Sequence, residues 1–285
     1  MKNKLIDETC VFLLRKGFLV KALNYCFDIL ARKGTEVLLI KVLEDANALN
    51  KTYIEEMERI ASFISAKPLI IAEKSGNKLE DNIVYSRFNV NTLNFFTFKK
   101  AINNQEIFIR SKRAGLTVEI DGSKLKEITE KEGISLNYLA KKIGVSLQML
   151  KKYEKGEAEV SIDKADKFLN MFGAKIFRAV QVFSNFKIED NAKNQFSKKY
   201  TNLGFNATET KKVPFDIIAK KDNEIILTKL GDKIDKNIEI VSKLIGADDL
   251  VIFNKNKPKD IPSMKKDEFL ELKKAKELIK IIRGN

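Results

Sequence analysis

The chain of 285 residues has no histidine and no tryptophan, and only two cysteines and four prolines. Each shortage excludes something. Without imidazole there is no Ser-His-Asp triad, no Cys-His nucleophile, no ordinary zinc site and no histidine acid/base chemistry. Cys10 and Cys26 are too few for a disulfide framework or a four-thiolate metal site, and they fit a reducing compartment. Thirteen glycines beside four prolines exclude collagen-like and low-complexity chains. No stretch approaches the roughly 18 apolar residues of a membrane span, and the run Val37–Ile40 ends at Lys41. The segment KNKLIDETCVFLL alternates charged and apolar residues and has no signal-peptide core. A soluble cytoplasmic protein with no membrane partner is expected.

What is present points elsewhere. A hydrophobic content of 44% over this length suffices for about two domains. Fifty-three basic residues against 39 acidic ones give a net charge of +14. The excess is uneven: residues 1–121 carry +4, residues 122–173 carry +2 and residues 174–285 carry +8. A polyanionic partner fits this balance, but lysine, asparagine and isoleucine are also the residues an AT-rich genome favours. Charge alone leaves DNA binding undecided.

Two stretches repeat. GFLVKALNYCFDILARKGTEVLLIKVLED (17–45) and GFNATETKKVPFDIIAKKDNEIILTKLGDK (204–233) share Gly-Phe, then Phe-Asp-Ile, a charged turn and an apolar run ending in lysine. Asp28 to Lys41 and Asp216 to Lys229 are both 13 positions apart. Helices over Thr9–Lys16 and Asn194–Lys199 are expected to stop at Gly17 and Gly204. Hairpins follow, Phe27–Ala31 with Val37–Val42 and Phe215–Ala219 with Ile225–Leu230. Next come helices (Asn50–Ser65; Ile234–Ile245) and apolar strands (Leu69–Ala72; Leu250–Phe253), so one α/β layer unit occurs twice.

This unit resembles the core of the restriction-endonuclease-like, PD-(D/E)xK nuclease fold, as in archaeal Holliday-junction resolvases. The resemblance implies an Asp at the start of the second strand and a Glu-x-Lys at the end of the third, with the carboxylates holding Mg²⁺ and the lysine orienting water. Asp28 and Asp216 match the first carboxylate. At the Glu position stand Lys41 and Lys229, and at the catalytic lysine position Leu43 and Gly231. An ammonium in place of a ligand repels Mg²⁺, so both units read as non-catalytic, with no metal and no cofactor. Asp28 and Asp216 then serve to cap a strand end or to pair with the nearby lysines. The competing reading is a Mg²⁺-dependent structure-specific nuclease in which Glu8 of the first helix and Lys41 take over catalytic roles.

Residues 123–173 have helical apolar spacing throughout. A first helix starts at Asp121 or Ser123, with Leu125 and Ile128 inward. Ser135 caps a second, with Leu139, Ala140 and Ile143 on one face, and Gly144 marks the turn. Ser146 caps a third, with Leu150 and Tyr153 inward, and Ser161 opens a fourth that stops at Gly173. These landmarks resemble the lambda-repressor/Cro/Xre type of helix-turn-helix. The resemblance implies that the helix from Ser146 enters the major groove, with Leu147, Gln148, Met149 and Lys152 toward the bases. Gln148 suits adenine, Lys152 guanine or phosphate, and Leu147 and Met149 thymine methyls. Ser135, Lys141, Lys142, Ser146, Lys151 and Lys155 are the candidates for phosphate. Leu136 departs from the glutamine frequent at that position in the family, which points to weaker specificity or to an apolar patch for protein. A helical bundle that does not bind DNA is the alternative.

A hairpin with its turn at Lys112–Gly115 connects the first unit to these helices, and Arg110, Lys112 and Arg113 make it a candidate phosphate-binding wing or else a solvated basic turn. AKIFRAVQVFSNF is expected to add a strand to one of the α/β units, and KKDEFLELKKAKELIKIIRG to form one amphipathic basic helix. The whole reads as a mixed multidomain chain, two α/β restriction-endonuclease-like units flanking an all-α Cro-type domain. The boundaries are 1–105, 106–121 for the hairpin connector, 122–173, and 174–285. This order resembles the archaeal family of HTH-type transcriptional regulators. It implies a sequence-specific, nucleoid-associated regulator that binds double-stranded DNA as a homodimer, with a non-cleaving accessory factor that recognises DNA shape as a further alternative.

Overall fold

The computed structural model describes residues 2–186 and 192–284. The chain opens with α1 (Lys2–Arg15), β1 (Leu19–Ala22), β2 (Ile29–Lys33), β3 (Glu36–Asp45), α2 (Lys51–Ile64) and β4 (Lys67–Ser75). The middle holds β5 (Asn77–Lys78), β6 (Ile83–Arg87), β7 (Val90–Leu93), α3 (Phe95–Ile102), β8 (Ile109–Lys112), β9 (Gly115–Ile120), α4 (Gly122–Lys131), α5 (Leu136–Ile143), α6 (Leu147–Glu154), β10 (Val160–Ser161), α7 (Ile162–Phe172) and β11 (Phe177–Arg178). It closes with α8 (Gln195–Asn202), β12 (Asn206–Glu209), β13 (Ile217–Lys221), β14 (Glu224–Leu230), α9 (Asn237–Ile245), β15 (Asp248–Phe253), β16 (Ser263–Lys265), α10 (Lys266–Glu271) and α11 (Ala275–Arg283). Two compact units result: residues 1–44, 48–70 and 183–285 form one, residues 45–47 and 71–182 the other. No helix among the described residues is long and apolar enough to cross a membrane.

The first unit contains both repeats, and their registers coincide. Leu19 faces Arg32 across β1–β2 as Asn206 faces Lys220 across β12–β13. Ile29 faces Ile40 across β2–β3 as Ile217 faces Thr228 across β13–β14. Even the glycine stops match: Gly17 and Gly204 take φ +81° and +86°, and each passes beside the amino end of a strand lysine, Lys33 or Lys221. Ile29, Leu30, Leu38, Leu39 and Ile40 are fully buried, as are Ile217, Ala219, Ile226 and Leu250. Both faces of the central strands are therefore covered, the pattern of a sheet between helical layers. In the second repeat β14 runs parallel to β15 through α9. In the first, α2 is capped by Asn50, which accepts from Thr52 N, and buries Ile54, Met57, Ile60, Ala61 and Ile64 at helical spacing.

The repeats pack reciprocally. Helix α2 lies against β13 and helix α9 against β2, as in a two-fold interface made within one chain. Hydrogen bonds cross it: Cys26 N donates to Lys212 O at 2.9 Å, Arg32 Nη1 to Leu244 O at 3.1 Å and Lys211 N to Glu56 Oε1 at 2.6 Å. Burial pushes the Cys26 thiol well above its usual range, so it stays protonated and unreactive.

Two local expectations need correction. The basic C-terminal segment is not one helix but two, α10 and α11. Leu272 and Lys274 leave helical geometry, and Glu268 and Glu277 each return to accept from a cap N–H, so a new helix starts where a uniform amphipathic pattern suggested continuation. The segment after Gly173 adds its strand elsewhere too: β11 pairs with β9, Phe177 opposite Ile120.

In the second unit the strand order is β7-β6-β8-β9-β10. Helices α4 to α7 enclose a core of Leu125, Leu139, Ile143, Leu150, Tyr153 and Phe168, which also includes Val118 and Ile120 of β9, Val160 of β10 and Phe177 of β11. The helices thus share one apolar interior with the hairpin that precedes them.

Candidate nucleic-acid interface

Local chemistry fixes the helix-turn-helix. Ser135 Oγ accepts from Tyr138 N at 3.2 Å and Ser146 Oγ from Met149 N at 3.1 Å, each satisfying a free amide in a first helical turn. Between the two helices Gly144 takes φ +79°, and its N–H donates to Ala140 O. A side chain there would be strained and would meet Lys164 Nζ at 3.2 Å. Leu150 and Tyr153 anchor α6 inward, with the Tyr153 ring edge-on to Phe168 at 6.3 Å.

Anchoring one face of α6 presents the other. Gln148, Met149, Lys151 and Lys152 are exposed, and Leu147 is half-buried. Lys141, Lys142 and Lys155 are exposed as well. Among the described residues none of these five lysines has a carboxylate within ion-pair distance. Ser135 and Ser146 use oxygen lone pairs for capping, so their hydroxyl protons remain to donate. Sequence reasoning missed Tyr138, 55% exposed beside the Ser135 cap. It also missed Lys164 and Lys167, whose amino groups gather at the Gly144 turn, Lys167 donating to Ile143 O at 3.0 Å. The signal was present: these lysines alternate on α7 with inward Ala165 and Phe168.

The hairpin separates the three basic residues assigned to it. Arg113 is exposed at the turn, and Lys112 Nζ pairs with Glu159 Oε1 at 2.7 Å. Arg110, two residues before Lys112, is half-buried in a cleft with Glu119 and Arg178. Burial raises the Glu159 carboxyl, but hydrogen bonds from Lys112 and Thr117 outweigh it and hold the group below its ordinary value.

The nuclease-like positions converge in both repeats. Asp28 Oδ2 accepts from Val42 N at 2.8 Å, and Oδ1 lies 3.3 Å from Lys41 Nζ and 2.9 Å from Lys2 Nζ. Asp216 Oδ2 accepts from Leu230 N at 2.7 Å and lies 2.9 Å from Lys229 Nζ. Burial lowers the Lys41 pKa, and the Asp28 charge partly offsets it. Lys2 escaped sequence reasoning because no spacing connects it to Asp28. Glu8 is exposed on α1 and near Lys4. These donors do not fit a divalent cation: an ammonium fills the place of the second ligand in each repeat. Among the described residues no three His, Cys, Asp or Glu side chains converge.

Comparison with known proteins identifies two parts of the chain. Residues 2–107 match a PD-(D/E)XK superfamily domain and residues 125–177 a helix-turn-helix domain. A protein of Methanocaldococcus jannaschii, named provisionally as an HTH-type transcriptional regulatory protein, is 31% identical over 100% of this chain and 97% of its own length. Similarly named proteins of Thermococcus kodakarensis and Pyrococcus horikoshii are 29% and 28% identical, each over 99% of this chain and over 95% and 98% of their own lengths. No solved structure matches significantly. With full-length similarity to these proteins, and with a PD-(D/E)XK match and a helix-turn-helix match of its own, the chain belongs to this archaeal family of HTH-type transcriptional regulatory proteins.

Proposed function

We propose that the protein is a sequence-specific, double-stranded DNA-binding transcriptional regulator whose two nuclease-like units, residues 1–105 and 174–285, do not cleave. The observation that carries this reading is the exposed outer face of α6, with Gln148 and unpaired Lys151 and Lys152 beside a capped N-terminus. An α-helix so anchored fits the major groove. Gln148 offers the donor and acceptor that read adenine, Lys152 reaches guanine or phosphate, and Leu147 and Met149 contact thymine methyls. Ser135 and Ser146 donate hydroxyl protons to phosphates flanking the groove, where the helix N-termini also favour an anion. Lys141, Lys142, Lys151 and Lys155 add salt-sensitive contacts. Arg113 and Arg110 extend the contact from the hairpin over 106–121, and Lys112 does so when it leaves Glu159. One recognition helix within 122–173 reads few base pairs, so a homodimer on two half-sites about one helical turn apart supplies the selectivity. Such a protein works on the nucleoid in the cytoplasm.

Inactivity of the nuclease-like units rests on Lys41 and Lys229, which neutralise the carboxylates that would otherwise hold a metal. Selection of fragmented genomic DNA by the purified protein, at near-physiological salt and without Mg²⁺, is expected to return a palindromic motif. Replacing Gln148 and Lys152 together by alanine should remove that preference, at about 1–3 kcal/mol per lost bidentate contact, while salt-dependent binding persists. Recovery of the same motif by the double variant would refute the assignment of α6. Cleavage of branched DNA on adding Mg²⁺, abolished by Asp28→Asn, would refute inactivity.

A further inference from the structure

The second unit contains a cavity of about 950 Å³ that shares only Lys112 and Arg113 with the DNA-binding reading. Its walls come from β5, the β6–β7 hairpin and the turn of the β8–β9 hairpin. Lys78, Arg87, Lys112 and Arg113 line it against one carboxylate, Glu80. Ser86, Ser111 and Tyr85 are also in the lining. Such a volume suits a small molecule, and a surplus of cations suits an anion.

Two further features single out Arg87. Its Nε is buried without a hydrogen-bond partner, the one such side-chain atom found among the described residues. Buried polar atoms are nearly always satisfied, so this nitrogen makes Arg87 the member of the lining with most to gain from a rearrangement around an anion. Beside it the β6–β7 turn holds Phe88 at φ +48° and Asn89 at φ +66°. A two-residue type I′ hairpin turn requires positive φ at both positions, and a bulky phenylalanine at the first of them is strained. Here the Phe88 ring lies 5.5 Å from the Arg87 guanidinium carbon, bracing the cation on one side.

We propose that this cavity is a regulatory site for a small phosphorylated anion, with Arg87 as its principal contact and Lys112 and Arg113 closing over the ligand from the hairpin turn. A phosphate group has the oxygens to bridge the two terminal nitrogens of Arg87, a forked geometry that guanidinium favours. Lys112 is the coupling element. Its amino group is held by Glu159, which also accepts from Thr117 Oγ1 at 2.5 Å. Glu159 lies in the loop between α6 and α7, immediately before β10. Ligand phosphate competes with Glu159 for Lys112 and frees that loop. The same hairpin carries Val118 and Ile120 into the helix-turn-helix core, so a shift at its turn is felt at α6. The coupling to DNA rests on the function proposed above; the binding site itself does not.

The test uses the full-length protein and calorimetric titration with inorganic pyrophosphate, the smallest probe with two phosphate groups. Wild type is expected to bind saturably, and Arg87→Gln to bind at least about tenfold more weakly, as loss of a charge-assisted contact implies. Lys151→Ala/Lys152→Ala should bind pyrophosphate as wild type does, which separates the site from general attraction by a basic protein. Absence of saturable binding, or equal affinity in Arg87→Gln, overturns the proposal. A second measurement follows DNA retention with and without pyrophosphate. A change in wild type that is absent in Arg87→Gln supports regulation. If Arg87→Gln itself binds DNA several-fold more weakly without pyrophosphate, the cavity is a DNA phosphate contact and the small-ligand proposal falls. Failure of wild type to bind any DNA, with pyrophosphate binding intact and dependent on Arg87, removes the DNA reading and leaves the site standing.

Discussion

In the first repeat Asp28 is 1% exposed, and the Lys41 side chain beside it is 8% exposed. In the second repeat the side chains of Asp216 and Lys229 are 35% and 22% exposed, although the same backbone amide and the same lysine position serve the aspartate. The topology and register are shared, so the difference lies in what covers each site. Lys2 of α1 reaches Asp28 in the first repeat, whereas the second repeat has a shorter helix α8 in that place. A buried ion pair and an exposed one carry different obligations. Removing one partner from the buried pair strands a charge in a low-dielectric interior, while water takes over when an exposed partner goes.

The largest effect therefore belongs to Asp28. Asp28→Ala leaves the Lys41 ammonium with Tyr25 O, 3.0 Å away, and the Tyr53 ring, 5.1 Å away, in place of its counter-charge, and the stability loss is expected to be about 3–5 kcal/mol. Asp216→Ala loses a partly solvated pair and one amide hydrogen bond, and about 1 kcal/mol is expected. Denaturant titration of the two variants checks the contrast. Equal losses would show that exposure does not separate the repeats, and the comparison would have to be abandoned. The conservative change Asp28→Asn keeps an acceptor for Val42 N and should fall between them, which distinguishes loss of charge from loss of the strand-end hydrogen bond.

The repeat was legible in the sequence because its signals are local and paired. Phe-Asp-Ile followed 13 positions later by lysine occurs twice, and hydrophobic alternation reported the strands on either side. The helix-turn-helix was legible for a similar reason: Ser135, Gly144 and Ser146 act on their own neighbours, within a single turn of chain. Residues 77–102 were not. Strand β7 reads Val-Asn-Thr-Leu, fully buried with two polar side chains, and Asn91 is satisfied by Val182 O, ninety-one positions away. A buried polar residue whose partner is that remote breaks the apolar pattern on which strand recognition depends. The cavity around Arg87 was hidden for the same reason, since hairpins from three segments build it. The first strands β1 and β12 are four residues each, too short for an apolar alternation to mark them.

The interface between the repeats gives the smallest effect and the sharpest test of their near-symmetry. Tyr25 OH donates to Asp235 Oδ2 at 2.5 Å and accepts from Asn237 Nδ2 at 2.9 Å. The equivalent position in the second repeat is Val213, which returns no such bond. Burial first, and then the bond to Asp235, push the Tyr25 phenol up to about 12 from its ordinary 10.0. A folded-state pKa above the unfolded value means that the folded protein holds its proton longer. The contribution of Tyr25 is thus fully present below pH about 10 and is lost as pH rises toward about 12. Burial also raises the phenols of Tyr153 and Tyr200, so wild type and Tyr25→Phe will both weaken in this range. The difference between them isolates Tyr25, because the other two contributions are common to both proteins. That difference, read from denaturant midpoints, should be constant from neutrality to pH about 10 and should shrink above it. If it does not shrink, the phenol is free of Asp235 in solution, and the repeats are held together without it, by the α2–β13 and α9–β2 packing and the remaining hydrogen bonds between them.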